Sequence, residues 1–146
     1  MAAARDVESL MALARESEEE TDPGSRMGDE ERRLGMIFGL IGAVLLVLEG
    51  LIELLTGIVL VAIGHGLRAL ATWEHAFLVI VVGVLVGFFA AYGRSRSGDR
   101  AVASGAVLLV VALLGWLAFG IAGGLLGLLG TLLVVIAGLL FLVSGR

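Results

Sequence analysis

Four long apolar runs dominate this 146-residue chain and constrain its fold more than any other feature. A helix needs about 20 apolar residues to cross a bilayer core about 30 Å thick. In lipid the backbone must satisfy its own hydrogen bonds, which a helix does and an open sheet does not. The runs therefore predict an all-α integral membrane protein, a four-transmembrane-helix bundle within residues 34–146. The predicted membrane helices are 34–62, 76–92, 101–121 and 125–143.

The composition agrees with lipid as the solvent and narrows the chemistry. Apolar residues make up 59% of the chain, and 22 glycines come in addition. Soluble domains are about 45–50% apolar even when glycine is counted. The chain has no cysteine, which excludes disulfides and thiolate chemistry. The predicted spans show no nucleophile beside a base, which many active sites require. We therefore expect no enzyme activity and no cofactor.

Residues 1–33 form an acidic tail, predicted to precede the membrane domain. Val7, Leu10, Met11 and Ala14 recur at helical spacing, which predicts a short amphipathic helix over 6–20. A Pro-Gly pair then indicates a linker over 21–28. One interpretation is a disordered tail, and the other is a segment that folds against a soluble partner protein. The acidic polar face argues against a lipid-surface helix, and nothing suggests nucleic-acid binding.

Arginines mark one side of the predicted bundle. Cytoplasmic loops of membrane proteins are enriched in arginine and lysine, and with four spans only Arg68 falls on the side away from the termini. The pattern predicts a multi-pass protein of the cell (plasma) membrane with both termini in the cytoplasm. The absence of lysine is typical of a GC-rich prokaryotic genome. The arginines that flank the spans on the terminal side are Arg32, Arg33, Arg94, Arg96, Arg100 and Arg146.

The first apolar run is longer than one untilted span requires. Its residues 34–64 would form a helix about 46 Å long at about 1.5 Å per residue. The helix could tilt strongly, protrude at its C-terminal end, or break near Gly50. Breaking it would leave two halves that are each too short to span. We therefore expect one long helix whose end protrudes.

The polar residues and the glycines of this first helix share one face. On a helical wheel at about 100° per residue they fall on an arc about 120° wide, opposite leucine, isoleucine, valine and phenylalanine. Small residues mark close packing between membrane helices, so the glutamates on the arc are expected to point at protein. Gly83 and Gly87 of the second helix are four positions apart, the GxxxG spacing found where membrane helices pack closely. The arc contains Gly35, Gly39, Gly42, Gly50, Gly57, Glu49, Glu53 and Thr56.

Carboxyl groups inside a membrane are candidate functional groups because their charge is costly there. Three interpretations stay open for Glu49 and Glu53. A neutral carboxyl could donate a hydrogen bond to a neighbouring helix or to Thr56. A charged one could pair with Arg68 or with a partner subunit. The pair could also bind protons or a cation.

The connection between the first two predicted spans holds three possible metal ligands. His65, Glu74 and His75 lie within eleven residues of one another. Their spacing matches no established set of metal ligands. We therefore expect no metal site.

The layout of four helices with Glu49 in the first resembles the small multidrug-resistance transporters. That resemblance implies that Glu49 would carry the proton. The chain lacks their aromatic-rich lining and an equivalent third helix, and it adds the acidic tail. Our primary expectation is a small structural or accessory membrane protein, a subunit of a larger complex or a self-associating chain. The alternative is a small proton- or cation-coupled transporter or channel that uses Glu49 and Glu53.

Two structural features distinguish these expectations. A transporter needs a hydrated cavity lined by Glu49. An accessory subunit needs a small-residue face that leaves the bundle and meets another chain.

Overall fold

The computed structural model describes residues 23–95, 99–119 and 124–145. The prediction of an all-helical chain is confirmed for these residues. They form four helices, each long and apolar enough to cross a membrane. The helices are α1 (Pro23–Ala62), α2 (Gly66–Arg94), α3 (Asp99–Phe119) and α4 (Leu125–Val143).

Helix α1 is longer at its start than the sequence pattern predicts. It begins at Pro23, inside the segment 21–28 expected to be a linker, and continues unbroken through Gly50. Proline is favoured in the first turn of a helix, where its missing N–H has no intrahelical partner to lose. The Pro-Gly pair therefore starts this helix instead of interrupting one. The predicted tail helix over 6–20, with Val7, Leu10, Met11 and Ala14, lies outside the described residues.

Helix α2 also begins earlier than predicted, at Gly66 instead of residue 76. The chain reverses after α1 because Gly64 adopts a φ of 84°, in the left-handed region that favours glycine. The His65 N–H donates to the Leu60 carbonyl at 2.8 Å, and the Gly64 N–H donates to the Val61 carbonyl at 3.0 Å. This pair of bonds is a Schellman motif that ends α1. Most of the expected loop is therefore the first part of α2.

The helices are arranged as a square in which chain neighbours are also neighbours in space. Helix α1 packs against α2 and α4, and α3 packs against α4 and α2. The starts of α1 and α3 and the ends of α2 and α4 lie together at what we call the terminal end. The opposite end, with the Ile63–His65 turn, the end of α3 and the start of α4, is the turn end. The largest fully buried side chains are Val86, Leu108, Val134 and Phe141.

Close backbone contacts hold the bundle from its middle to the terminal end. A Cβ added to Gly42 would lie 2.8 Å from the Gly130 carbonyl oxygen, and one added to Gly105 would lie 2.7 Å from that of Gly138. Both separations are too short for real atoms. Glycine therefore lets α4 touch α1 and α3 backbone to backbone, as small residues do in membrane bundles.

Candidate functional site

Glu49 is buried between α1 and the start of α4. Only 7% of the residue is exposed. Its Oε1 atom accepts a hydrogen bond from the Gly124 N–H at 2.5 Å, and Gly124 is the N-terminal cap of α4. The cap residue has no side chain to satisfy the free N–H groups at this helix start. The Glu49 carboxyl group of α1 takes part of that role and lies at the positive end of the α4 dipole.

Glycines in α4 make room for this carboxylate. A Cβ on Gly124 would collide with the carboxylate atoms of Glu49. A Cβ on Gly127 would lie 3.5 Å from Glu49 Cγ, an ordinary contact. An alanine at position 124 would therefore force the Glu49 carboxyl group to shift, whereas position 127 tolerates a methyl group.

Glu53 faces a different helix. Its Oε2 atom lies 2.6 Å from Nδ1 of His75 on α2. The side chains are mostly buried, with 18% of Glu53 and 27% of His75 exposed. The two glutamates are one helical turn apart, but one contacts α4 and the other contacts α2. They therefore do not form a hydrogen-bonded pair with each other.

Arg68 and Thr56 do not join this arrangement. Among the described residues the ion-pair partner of Glu53 is His75, and Arg68 is exposed. Since α2 runs antiparallel to α1, Arg68 lies about two turns beyond Glu53 towards the turn. Thr56 is exposed and donates a hydrogen bond to the Ile52 carbonyl of its own helix at 2.9 Å. Serine and threonine often bond the preceding turn in this way.

A cavity of about 60 Å³ lies between the four helices near the turn end. About 10–15 Å³ suffices for one buried water, so a few waters fit. Its polar lining comes from Glu49, His75 and Thr131. Thr131 donates to the Gly127 carbonyl at 2.8 Å, which leaves its oxygen able to accept a hydrogen bond. The apolar lining includes Leu46, Val79, Val82, Val86, Val111 and Val134.

A second, larger space of about 460 Å³ forms a groove between α3 and α4. Its lining is almost entirely apolar. The groove adjoins the cavity, because four residues line both. The shared residues are Ala112, Trp116, Leu128 and Thr131. The two helices that touch at Gly105 and Gly138 therefore separate towards the turn end.

The other polar residues near the turn do not converge. His75 faces Glu53, whereas His65 and Glu74 are exposed. Among the residues that the structure describes, no group of three histidine, cysteine or acidic side chains could hold a metal ion.

The predicted packing glycines face neighbouring helices of the same bundle. The glycines in the first half of α1 pack against α4 and α2. The glycines in its second half pack against α2. Gly83 and Gly87 pack against Ala43 of α1. Each of these glycines therefore contacts its own bundle, and the set leaves no separate small-residue face for another chain. The α1 glycines are Gly35, Gly39, Gly42, Gly50 and Gly57.

Sequence patterns did not single out Gly124, Thr131 was not among the predicted site residues, and His75 was considered only as a metal ligand. A glycine in a short Gly-rich connector carries no sign that its N–H will meet a carboxylate. His75 belongs to the site because α2 begins at Gly66, so that His75 lies within this helix and faces Glu53 of α1. No known protein family, curated protein or solved structure matches this chain.

Proposed function

We propose that this chain is a small integral membrane protein that binds and moves a proton through Glu49. The observation that carries the proposal is the burial of Glu49 at a cavity that His75 and Thr131 also line. Ionisable groups inside membrane helices are costly and commonly mark proton or ion pathways. A residue needed only to join helices would not require a cavity beside it.

The composition of the cavity favours a proton over a metal cation. Oxygen-ligated divalent cations need about six ligands. Among the described residues, the side chains that line the cavity offer oxygen only from Glu49 and Thr131. A proton needs one basic group and a few waters, and the Glu53–His75 pair lies beside the same space. This pair extends the candidate pathway from Glu49 towards the turn end.

The proposal is for a transporter and not for an open channel. Towards the terminal end the cavity lining is apolar, and Val86 and Val134 are almost fully buried. The glycine contacts of α4 with α1 and α3 close the bundle further. A proton would therefore reach the terminal side only after a conformational change.

We further propose that the protein lies in the plasma membrane with both termini in the cytoplasm. Support comes from the distribution of arginine. Arg33, Arg94 and Arg100 lie near the terminal end, whereas Arg68 lies near the turn end. Positive residues are enriched on the cytoplasmic side of membrane proteins.

An accessory subunit is a second candidate function. Beyond Glu49, which faces the start of α4, helix α1 continues to Ala62, about 20 Å further. This extension and the start of α2 expose large apolar side chains, among them Leu55, Ile58 and Leu67. Such a surface fits contact with another membrane protein. The glycine packing gives this candidate less support, because the small residues already contact the same bundle.

Proton flux in proteoliposomes tests the transport proposal. The purified chain would be reconstituted with an internal pH-sensitive dye, and an imposed pH gradient would drive the flux. We expect flux above that of empty liposomes, abolished by Glu49→Gln and unchanged by the control Glu74→Gln, which alters an exposed glutamate near the same end. Wild-type flux equal to that of empty liposomes, or full flux through Glu49→Gln, would overturn the proposal.

A further inference from the structure

We propose that Glu49 is a latch that holds the start of α4 against α1, and that protonation of its carboxylate releases it. The inference rests on the proposed function, because it requires Glu49 to take up a proton. It assigns to the same residue a second role, in which the proton controls the conformation of the bundle.

The packing of α4 against its neighbours is uneven along its length. From the middle to the terminal end, Gly42 meets Gly130 and Gly105 meets Gly138 at backbone distances that leave no room for a methyl group. Towards the turn end the cavity lies inside the bundle and the groove separates α3 from α4. At that end, the Glu49–Gly124 hydrogen bond joins the start of α4 to α1. Movement of α4 would therefore pivot about the glycine contacts and be largest at Gly124.

The strength of the latch depends on the charge of Glu49. A charge-assisted hydrogen bond is roughly twice as strong as a neutral one, and a carboxylate also gains from the positive end of the helix dipole. Protonation weakens the first interaction and removes the second. The other titratable groups facing this region are Glu53 on α1 and His75 on α2, and the described cavity lining of α3 and α4 contains none.

Release of the latch would connect the cavity with the groove. Trp116, Leu128 and Thr131 already line both spaces. If the start of α4 moves away from α1, these residues no longer separate Glu49 from the lipid side of the bundle. Protonation would thereby change the access to its own site.

Distances between spin labels test the latch directly, and the chain has no cysteine that would interfere. The reporting pair is Leu51→Cys with Leu125→Cys, at exposed positions of α1 and α4 near the turn end. The control pair is Leu40→Cys with Leu139→Cys, also exposed, at the glycine-packed end. We expect Glu49→Gln to shift the reporting pair to longer distances and to leave the control pair unchanged. Glu53→Gln should move neither pair.

Two results would overturn the latch. One is an unchanged reporting distance in Glu49→Gln, and the other is an equal shift in both pairs, which would indicate general loosening. If Glu49→Gln fails to fold, the same label pairs are measured with Glu49 intact as the pH is lowered. A reversible shift confined to the reporting pair supports the latch, and no shift at acidic pH excludes it. Flux that depends on Glu49 without a shift leaves the transport proposal standing and removes only the latch. A shift of the reporting distance without proton flux leaves the latch standing and removes the transport proposal.

Discussion

The Nδ1 atom of His75 lies 2.6 Å from Oε2 of Glu53, so a carboxylate–imidazole contact joins α2 to α1 near the turn end. Glu49 makes the corresponding contact from α1 to α4 through the Gly124 N–H. Two acidic residues one turn apart thus tie the first helix to both of its neighbours.

Substitution of His75 by alanine should destabilise the bundle by about 1–3 kcal/mol, because the mostly buried Glu53 carboxyl group would lose this hydrogen-bond partner. Thermal unfolding in detergent, followed by circular dichroism, measures the loss. Glu74→Ala, at the exposed neighbouring position, is the control and should be near neutral. A double-mutant cycle that combines His75→Ala with Glu53→Gln should show that the two losses of stability are not additive. Additive losses would contradict a direct contact.

Substitution of Gly57 by alanine should displace the Trp73 indole. A Cβ at this position would collide with the indole ring, whose Nε1 donates to the Leu54 carbonyl at 3.3 Å. We expect a shift in tryptophan emission, measured in a Trp116→Phe background so that Trp73 alone reports. Gly66→Ala is the matched control, since no described atom beyond its own stretch of helix lies within 4 Å of its added Cβ. Equal spectra for both variants would argue against the packing of the indole on Gly57.

The two glycines of the second-helix packing motif should respond differently to alanine. A Cβ on Gly83 would lie 2.9 Å from Val47 Cγ2 and 3.1 Å from the Ala43 carbonyl oxygen. Overpacking of this kind costs about 1–3 kcal/mol, partly offset by about 1 kcal/mol of helix propensity. A Cβ on Gly87 would make an ordinary 3.4 Å contact with Ala43. Unfolding measurements should therefore find Gly83→Ala less stable and Gly87→Ala as stable as the parent or more so.

Gly124 and Gly127 offer a similar test of the Glu49 contact. Gly124→Ala should push the carboxylate away and remove its hydrogen bond, with a loss of about 1–3 kcal/mol. Gly127→Ala adds a methyl group at contact distance and should be tolerated. Stability and proton flux should both fall in the first variant and persist in the second. Equal behaviour of the two variants would show that the carboxylate is not held at Gly124.

Native mass spectrometry of the protein extracted gently from its own membrane would decide between the two candidate functions. Transport by this chain predicts a monomer or a symmetric homo-oligomer. A stoichiometric complex with other chains would instead favour the accessory subunit, with the exposed apolar side chains of the α1 extension as the first surface to substitute.

The length of the apolar runs was sufficient to predict the four helices, and helical periodicity was sufficient to group Glu49 and Glu53 with the α1 glycines. It could not predict which neighbour each glutamate meets. That depends on the register of α2 and α4 against α1, and register is set by contacts between distant residues such as Gly42 with Gly130. The start of α2 was missed because residues 66–75 are too polar for a membrane span, although they pack against α1 through Trp73 and His75.

The unbroken course of α1 has a mechanical consequence. Its 40 residues form a rod about 60 Å long without a hinge. We expect the helix to tilt about Gly42, where its backbone contacts α4. A tilt of about 10° about that point would carry Ala62, about 30 Å away, through about 5 Å. A partner bound to the start of α1 could therefore displace the Ile63–His65 turn by tilting the helix as a rigid body.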